Sequence, residues 1–180
     1  MKPEYGMIHG RFQPFHNGHL EYMRAARPLC QTLVVGITNP DPTTILEDPA
    51  SSHRHLPEAN PYTFFERLLM VREVIVAEGI PPTRAIIIPF PVNSPERWRS
   101  YLPHDVVHYV RVFSEWEQSK VDRLREHGYR VEILHPGIEK AVEASEVRRR
   151  MANGEDWHSL VPPAVVRVIE RLRDRAATRP

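Results

Sequence analysis

The chain has 180 residues, 41% of them hydrophobic, and a formal net charge of +1 from 24 basic and 23 acidic side chains. That length and apolar content suit one soluble domain spanning residues 1–180, and the near-balance of charge argues against a dedicated nucleic-acid-binding protein. A single cysteine, Cys30, rules out an intrachain disulfide and a cysteine-rich zinc site, and no apolar run reaches the length of a membrane span. A cytoplasmic protein with no membrane partner is expected. The last third carries Arg148, Arg149, Arg150, Arg167, Arg171, Arg173, Arg175 and Arg179, but Glu146, Glu155, Asp156, Glu170 and Asp174 interleave them, as on a solvated helix face.

Along the chain, Tyr5 to His9 forms a short apolar strand entering a tight turn at Gly10. Gly18 to Arg27 has helical spacing of Leu20, Met23 and Ala26 before Pro28 stops it, and Thr32 to Ile37 then suits a buried strand. Residues 38–59 are rich in Pro, Asp, Thr, Ser and His, which predicts a long loop. A helix is expected from about Pro61, with Phe64, Leu68, Val71, Val74 and Ile75 on its apolar face and Thr63 and Glu66 at capping-box spacing. Strands over Arg84–Pro89, Val106–Phe113 and Tyr129–Leu134, a helix over Ser119–His127, and two final helices over Ser145–Ala152 and Pro162–Ala177 complete the pattern. This order predicts an α/β, Rossmann-like, doubly wound parallel sheet of about five strands with helices on both faces, followed after residue 135 by a C-terminal helical segment. Ligands of such sheets bind beyond the carboxyl ends of the strands.

The stretch Gly10-Arg11-Phe12-Gln13-Pro14-Phe15-His16-Asn17-Gly18-His19 sits at such an end. If a helix starts near Asn17 or Gly18, His16 and His19 lie one turn apart, both near its amino end. Gly18 lets phosphate oxygens approach backbone N–H groups and the positive end of the helix dipole. Attack at the α-phosphorus of a nucleotide needs stabilisation of spreading negative charge, which two imidazoles, Arg11 and a divalent metal would supply. Alone, a histidine pair at this spacing is equally compatible with a surface or metal-binding pair.

The run Gly10 to His19 resembles the HxGH signature of the nucleotidyltransferase superfamily, in the form found in archaeal-type nicotinamide-nucleotide adenylyltransferases. Three further segments are similar to that family in the same order: Asn60-Pro61-Tyr62-Thr63-Phe64-Phe65-Glu66-Arg67, Glu146-Val147-Arg148-Arg149-Arg150-Met151, and Asp156 to Pro162. The resemblance implies ATP and nicotinamide or nicotinate mononucleotide as substrates, Mg²⁺ as cofactor, pyrophosphate as product and a homo-oligomeric assembly. It further implies that His16, His19, Arg11 and Arg148 are catalytic, and that Gly10, Phe12, Gly18, Ser114 and Ser145 join them in holding the nucleotide. Ser145 is also a plausible helix cap. Trp98, stacking on a pyridine ring, with Asn93 and Arg54 as polar contacts, would bind the acceptor.

Three departures from the family pattern bear on the substrate. Glu143-Ala144-Ser145 replaces a Ser-Gly-Thr, Ser114-Glu115-Trp116 replaces a Ser-Gly-Asn, and the acidic position before the ring-stacking tryptophan has no counterpart. They make cytidylyl transfer from CTP to a small phosphate or phosphonate the alternative reaction. A non-catalytic nucleotide-binding regulator is a second alternative. A zinc site on His16, His19, His53 and His55 is a third, although no residue is assigned as a metal ligand.

Overall fold

Neighbouring residues of a strand face opposite sides of a sheet, so a strand buried on both faces is apolar without interruption. The computed structural model describes residues 1–45, 55–135 and 142–178. In it five strands, β1 (Tyr5–Gly10), β2 (Thr32–Thr38), β3 (Ala85–Phe90), β4 (Val107–Arg111) and β5 (Arg130–Leu134), pair in parallel in the order β3-β2-β1-β4-β5, the central ones most deeply buried. Ile8, Leu33, Val35, Ile37 and Tyr109 point to one side, where they meet α1 (Asn17–Ala26), α2 (Phe64–Ala77) and α5 (Pro163–Ala177) through Met23, Met70, Val74, Val165 and Ile169. Met7, Val34, Phe90 and Val110 point to the other side, against Val121 and Leu124 of α3 (Glu115–Glu126) and against Trp98, Leu102 and Tyr129. A further helix, α4 (Ala144–Asn153), contributes Val147 to the first core. The expected α/β sheet with helices on both faces and a helical C-terminal segment is the observed fold.

The helix starts differ from expectation for local reasons. α2 begins at Phe64 rather than near Pro61 because Thr63 is its cap: the Glu66 N–H donates to Thr63 Oγ1 at 3.3 Å and the Thr63 N–H to Glu66 Oε2 at 2.8 Å. α3 begins at Glu115 rather than Ser119, with Glu115 and Glu117 in the first turn, where carboxylates favour the positive end of the dipole. Its buried positions, Glu117, Val121 and Leu124, have helical spacing, but only two of them are apolar, so the pattern is faint in the sequence. α4 begins one residue before Ser145 and takes Glu143 as its N-cap position, so the capping role expected of Ser145 is not realised.

Chain order reverses between β1 and β4: the chain winds outward from β1 through β2 to β3, then returns to β4 on the other side of β1. Crevices open at such reversals because the connections leave in opposite directions.

Candidate active site

Between β1 and α1 the chain crosses the top of the sheet through Arg11 to His16, anchored from below and from the side. Phe12 and Phe15 are fully buried, their rings 5.3 Å apart, and Phe12 holds a left-handed backbone with φ of 53°. The Gln13 amide clasps the Asn60–Thr63 approach to α2: its Nε2 donates to the Tyr62 carbonyl and its Oε1 accepts from the Tyr62 N–H, both at 2.9 Å. Arg67 of α2, 2% exposed, donates to the carbonyls of Arg11 at 2.8 Å, Thr38 at 2.7 Å, Asn39 at 2.8 Å and Thr63 at 3.2 Å. It ties the ends of β1 and β2 to a helix, although burial lowers its affinity for a proton to about 10. From the opposite side, Arg148 of α4 donates to the Gln13 carbonyl at 2.7 Å.

This anchored loop presents the two histidines. His16 is the N-cap position of α1 and His19 lies three residues on, in the first turn. Their rings stack at 3.6 Å between centroids and 23° between planes. The His16 backbone N–H donates to His19 Nδ1 at 3.2 Å, so in the neutral ring the proton sits on Nε2, available as a donor. Gly18 gives the His16 ring room: a Cβ there would lie 3.1 Å from His16 Cε1, a tight contact, and 3.5 Å from the Val142 carbonyl oxygen.

Both rings line a cleft of about 420 Å³ at the β1–β4 reversal. The first turns of α1, α3 and α4 all contribute to its wall, through His19, Glu117 and Ser145 among others. Three helix amino ends therefore turn the positive ends of their dipoles toward one space. Arg11, Arg111, Lys120 and Arg148 add formal positive charge, against Glu21, Glu117 and Glu143. Such a wall suits a polyanion whose charge is spread over several phosphates.

The residues expected to hold a nucleotide, Gly10, Arg11, Phe12, His16, Gly18, His19, Ser114, Ser145 and Arg148, all line this cleft. Because the ring of Phe12 is buried in the core beneath, its side chain anchors the loop. Ser114 is the N-cap position of α3, and its hydroxyl donates to Glu117. The acceptor residues fare differently. Trp98 is 1% exposed, its Nε1 donates to the Pro91 carbonyl at 2.9 Å, and its ring packs against Phe90 at 5.7 Å. It is a core residue with no face to offer a substrate ring, which corrects the expectation drawn from the resemblance. Asn93 is half-buried and outside the wall of the cleft. Arg54, like His53, lies outside the described residues. Arg149 and Arg150 belong to an exposed ion-pair network: Arg149 pairs with Glu146 at 2.8 Å and Glu155 at 2.7 Å, and Arg150 with Glu146 at 2.8 Å.

The cleft also contains groups that sequence patterns did not single out: His9 and Thr38 at the ends of β1 and β2, Arg111 at the end of β4, and Lys120 on α3. For His9, Thr38 and Arg111 the signal was position, a polar residue near the end of a largely apolar parallel strand. Arg111 lies 5.7 Å from the Tyr22 ring centroid and 3.9 Å from Glu21, with its Nε buried and unbonded. His9 and His108 are buried with rings 5.6 Å apart. Burial, then Lys120 and the neighbouring imidazole, holds His9 neutral well below the ordinary histidine value of 6.5, and burial, then Lys120, takes His108 down to about 3.

A stability prediction arises from this pair. Below pH ~6.5 the unfolded chain takes up protons that the folded rings refuse, so stability is complete above that pH and falls as pH drops toward the folded values. The slope is at most about 1.4 kcal/mol per pH unit for each ring. Urea denaturation between pH 7.5 and 5 is expected to show this decline, and His108→Leu to flatten it by about half; equal slopes in the two proteins would refute the assignment.

Among the described residues no group of three or more His, Cys, Asp or Glu side chains is arranged to hold a metal ion. A magnesium ion that arrives with a nucleotide does not require one, since it keeps waters and phosphate oxygens as its main ligands. Glu143, in the wall of the cleft where α4 begins, is a carboxylate suited to one remaining position. Among the described residues, no helix is long and apolar enough to cross a membrane.

A sheet of this topology, with three helix starts gathered at its reversal and a paired-histidine turn between them, places the chain among the nucleotidyltransferases. The cytidylyltransferase-like family model matches residues 7–150, and the chain belongs to that family. It is 48% identical to a phosphonoformate cytidylyltransferase of Streptomyces viridochromogenes over 165 residues, 92% of this chain and 90% of that protein. It is 32% identical to the nicotinamide-nucleotide adenylyltransferase of Thermococcus sibiricus over 171 residues, 93% of this chain and 84% of that protein. The archaeal-type enzymes that the motifs resemble are thus relatives at a greater distance. In fold, the chain matches a bifunctional NMN adenylyltransferase/ADP ribose pyrophosphatase of Francisella tularensis with a TM-score of 0.63 at 18% identity, over 89% of this chain and 45% of that one. It also matches a putative nicotinate-nucleotide adenylyltransferase of Vibrio parahaemolyticus with a TM-score of 0.57 at 11% identity, over 94% and 99% of the two chains.

Proposed function

We propose that this chain transfers a cytidylyl group from CTP to a small phosphonate of the phosphonoformate type, releasing pyrophosphate. The observation that carries this reading is the 48% identity with a phosphonoformate cytidylyltransferase along nearly the whole chain, against 32% for the nicotinamide-nucleotide adenylyltransferase. The geometry agrees with a small acceptor, because Trp98 and Phe90 fill the sheet face beside His9 with their own packing. A pyridine ring has no tryptophan face to stack on there.

In this reading a phosphonate oxygen attacks the α-phosphorus in line as the bond to the bridging oxygen breaks and pyrophosphate leaves. No proton transfer to the acceptor is needed, so rate comes from positioning and from charge stabilisation. Donors from His16 and His19, with Arg148 beside them, face the oxygens that gain charge, and the starts of α1 and α4 hold the leaving phosphates. Magnesium, when bound, would supply further neutralisation of the triphosphate. Trp116, in the cleft wall with Lys120 5.0 Å from its ring centroid, is available to the base.

Adenylyl transfer from ATP to nicotinamide mononucleotide is the second reading, supported by the four motifs and the more distant relatives. A matrix of CTP, ATP, GTP and UTP against phosphonoformate and nicotinamide mononucleotide, scored by pyrophosphate release, separates the two. Turnover is expected with CTP and phosphonoformate. Turnover with ATP and the mononucleotide, and none with CTP, would replace the first reading by the second.

A further inference from the structure

His9 is buried at the end of β1, with only 4% of its surface exposed, and neither ring nitrogen has a hydrogen-bond partner. Yet it lines the cleft beside Gly10 and Thr38. An unbonded imidazole in a core costs stability that an apolar ring of similar size would avoid, and Phe90, 5.4 Å away, shows that a phenyl ring packs in this core. On the neighbouring strand Gly36 leaves room for Met7, whose Cε would collide with a Cβ there, with Phe90 Cβ at 3.1 Å and His9 Cβ at 3.2 Å. Behind His9 stands His108, fully buried with both nitrogens unbonded, and next to that ring, 5.1 Å away, lies Tyr129, whose buried hydroxyl also has no partner. A row of unsatisfied polar groups leading inward from a ligand cleft is expensive as packing and becomes intelligible if its first member is completed by a ligand.

The chemistry of that ligand is constrained from three sides. His9 is neutral, so it offers one N–H donor and no formal charge. Lys120, on the cleft wall and close enough to act on both imidazoles, brings positive charge to this end of the cleft, where Glu117 on the same wall accepts a hydrogen bond from Ser114. The packed rings of Phe90 and Trp98 leave no room for a large group. We propose that His9 selects the acceptor: its ring N–H donates to the carboxylate of a small phosphonate whose phosphorus end faces His16 and His19. His108 is then a positioning residue that backs the ring. This inference rests on the cytidylyl-transfer reading and adds to it the residue that distinguishes a carboxylated acceptor from a plain phosphonate.

The test compares phosphonoformate with methylphosphonate, which lacks the carboxylate, each with CTP, in the wild type and in His9→Phe and His9→Gln. Where methylphosphonate turnover is below detection, its inhibition constant against phosphonoformate serves instead. His9→Phe is expected to lose roughly tenfold or more in kcat/KM for phosphonoformate, mainly through KM, with little change for methylphosphonate, while His9→Gln, which keeps an N–H donor, retains part of the preference. Equal losses on both compounds would reduce His9 to a packing residue, and no loss on either would remove it from the site. If His9→Phe does not fold, His9→Gln and His9→Met, alike in length but only one a donor, make the same comparison. A wild type inactive with CTP and phosphonoformate would overturn the parent reading and this inference together, whereas an active wild type with unselective variants overturns the inference alone.

Discussion

Replacing His19 by alanine is expected to lower kcat about 100- to 1000-fold, the usual cost of removing one preorganised donor from developing negative charge. The expectation follows from the orientation of the ring. His19 Nδ1 is occupied by the His16 backbone N–H, which leaves Nε2 as the donor, and the neighbouring imidazole at 3.6 Å limits its rotation. The helix-start hydrogen bond is lost as well, at about 1 kcal/mol of stability, so the variant should remain folded at 25 °C. Steady-state pyrophosphate release and single-turnover measurements at saturating nucleotide would read the effect on the chemical step. Nucleotide affinity should change far less than kcat, because helix N–H groups and Arg148 remain. Unaltered turnover would take His19 out of the mechanism.

Arg67→Met is expected to destabilise the protein by about 3–5 kcal/mol, because several buried carbonyls lose a charged donor at about 1–3 kcal/mol each. The carbonyls of Arg11, Thr38 and Asn39 lose the guanidinium at once, while that of Thr63 keeps the Arg67 backbone N–H at 3.2 Å, and two of the four residues, Arg11 and Thr38, line the cleft. Arg67→Lys should not restore stability, because one ammonium on a flexible stem cannot reach carbonyls that a planar guanidinium meets along separate edges. Equilibrium denaturation gives the first quantity. Activity measured well below the transition gives the second, since a loosened Arg11–His16 segment should cost turnover even in molecules that remain folded. A loss under about 1 kcal/mol would show that solvent or neighbouring groups replace the guanidinium, and that the loop is anchored chiefly by Gln13 and the two buried phenylalanines.

Arg67 also illustrates what a linear motif conceals. In the sequence it closes the Asn60–Arg67 segment and looks like one more helical arginine. Only the fold brings the ends of β1 and β2 over its guanidinium. Arg148 and its neighbours show the converse: three consecutive arginines are chemically alike on paper, and the helix turns one toward the Gln13 carbonyl and the cleft while Glu146 and Glu155 neutralise the other two. Trp98 was misplaced for a related reason. A tryptophan following a β-strand fits either a stacking platform or a core plug, and what settles the matter, the Phe90 ring at the end of β3 and the Pro91 carbonyl just beyond it, depends on a turn whose geometry is not periodic.

Hydrophobic period, capping residues and the Gly10–His19 signature are local properties, readable because neighbours in the chain impose them: they determined the parallel α/β sheet, the start of α1 and the pairing of His16 with His19. Which polar side chains share the cleft was decided by tertiary structure alone. His9, Thr38, Arg111 and Lys120 come from three strands and a helix that are far apart in sequence and meet only because chain order reverses between β1 and β4. Strand alternation sends a side chain to one face or the other, but the partner waiting there depends on every connection in between. Contiguous residues carry the family signature, and the grouping of the remaining cleft residues exists only after folding.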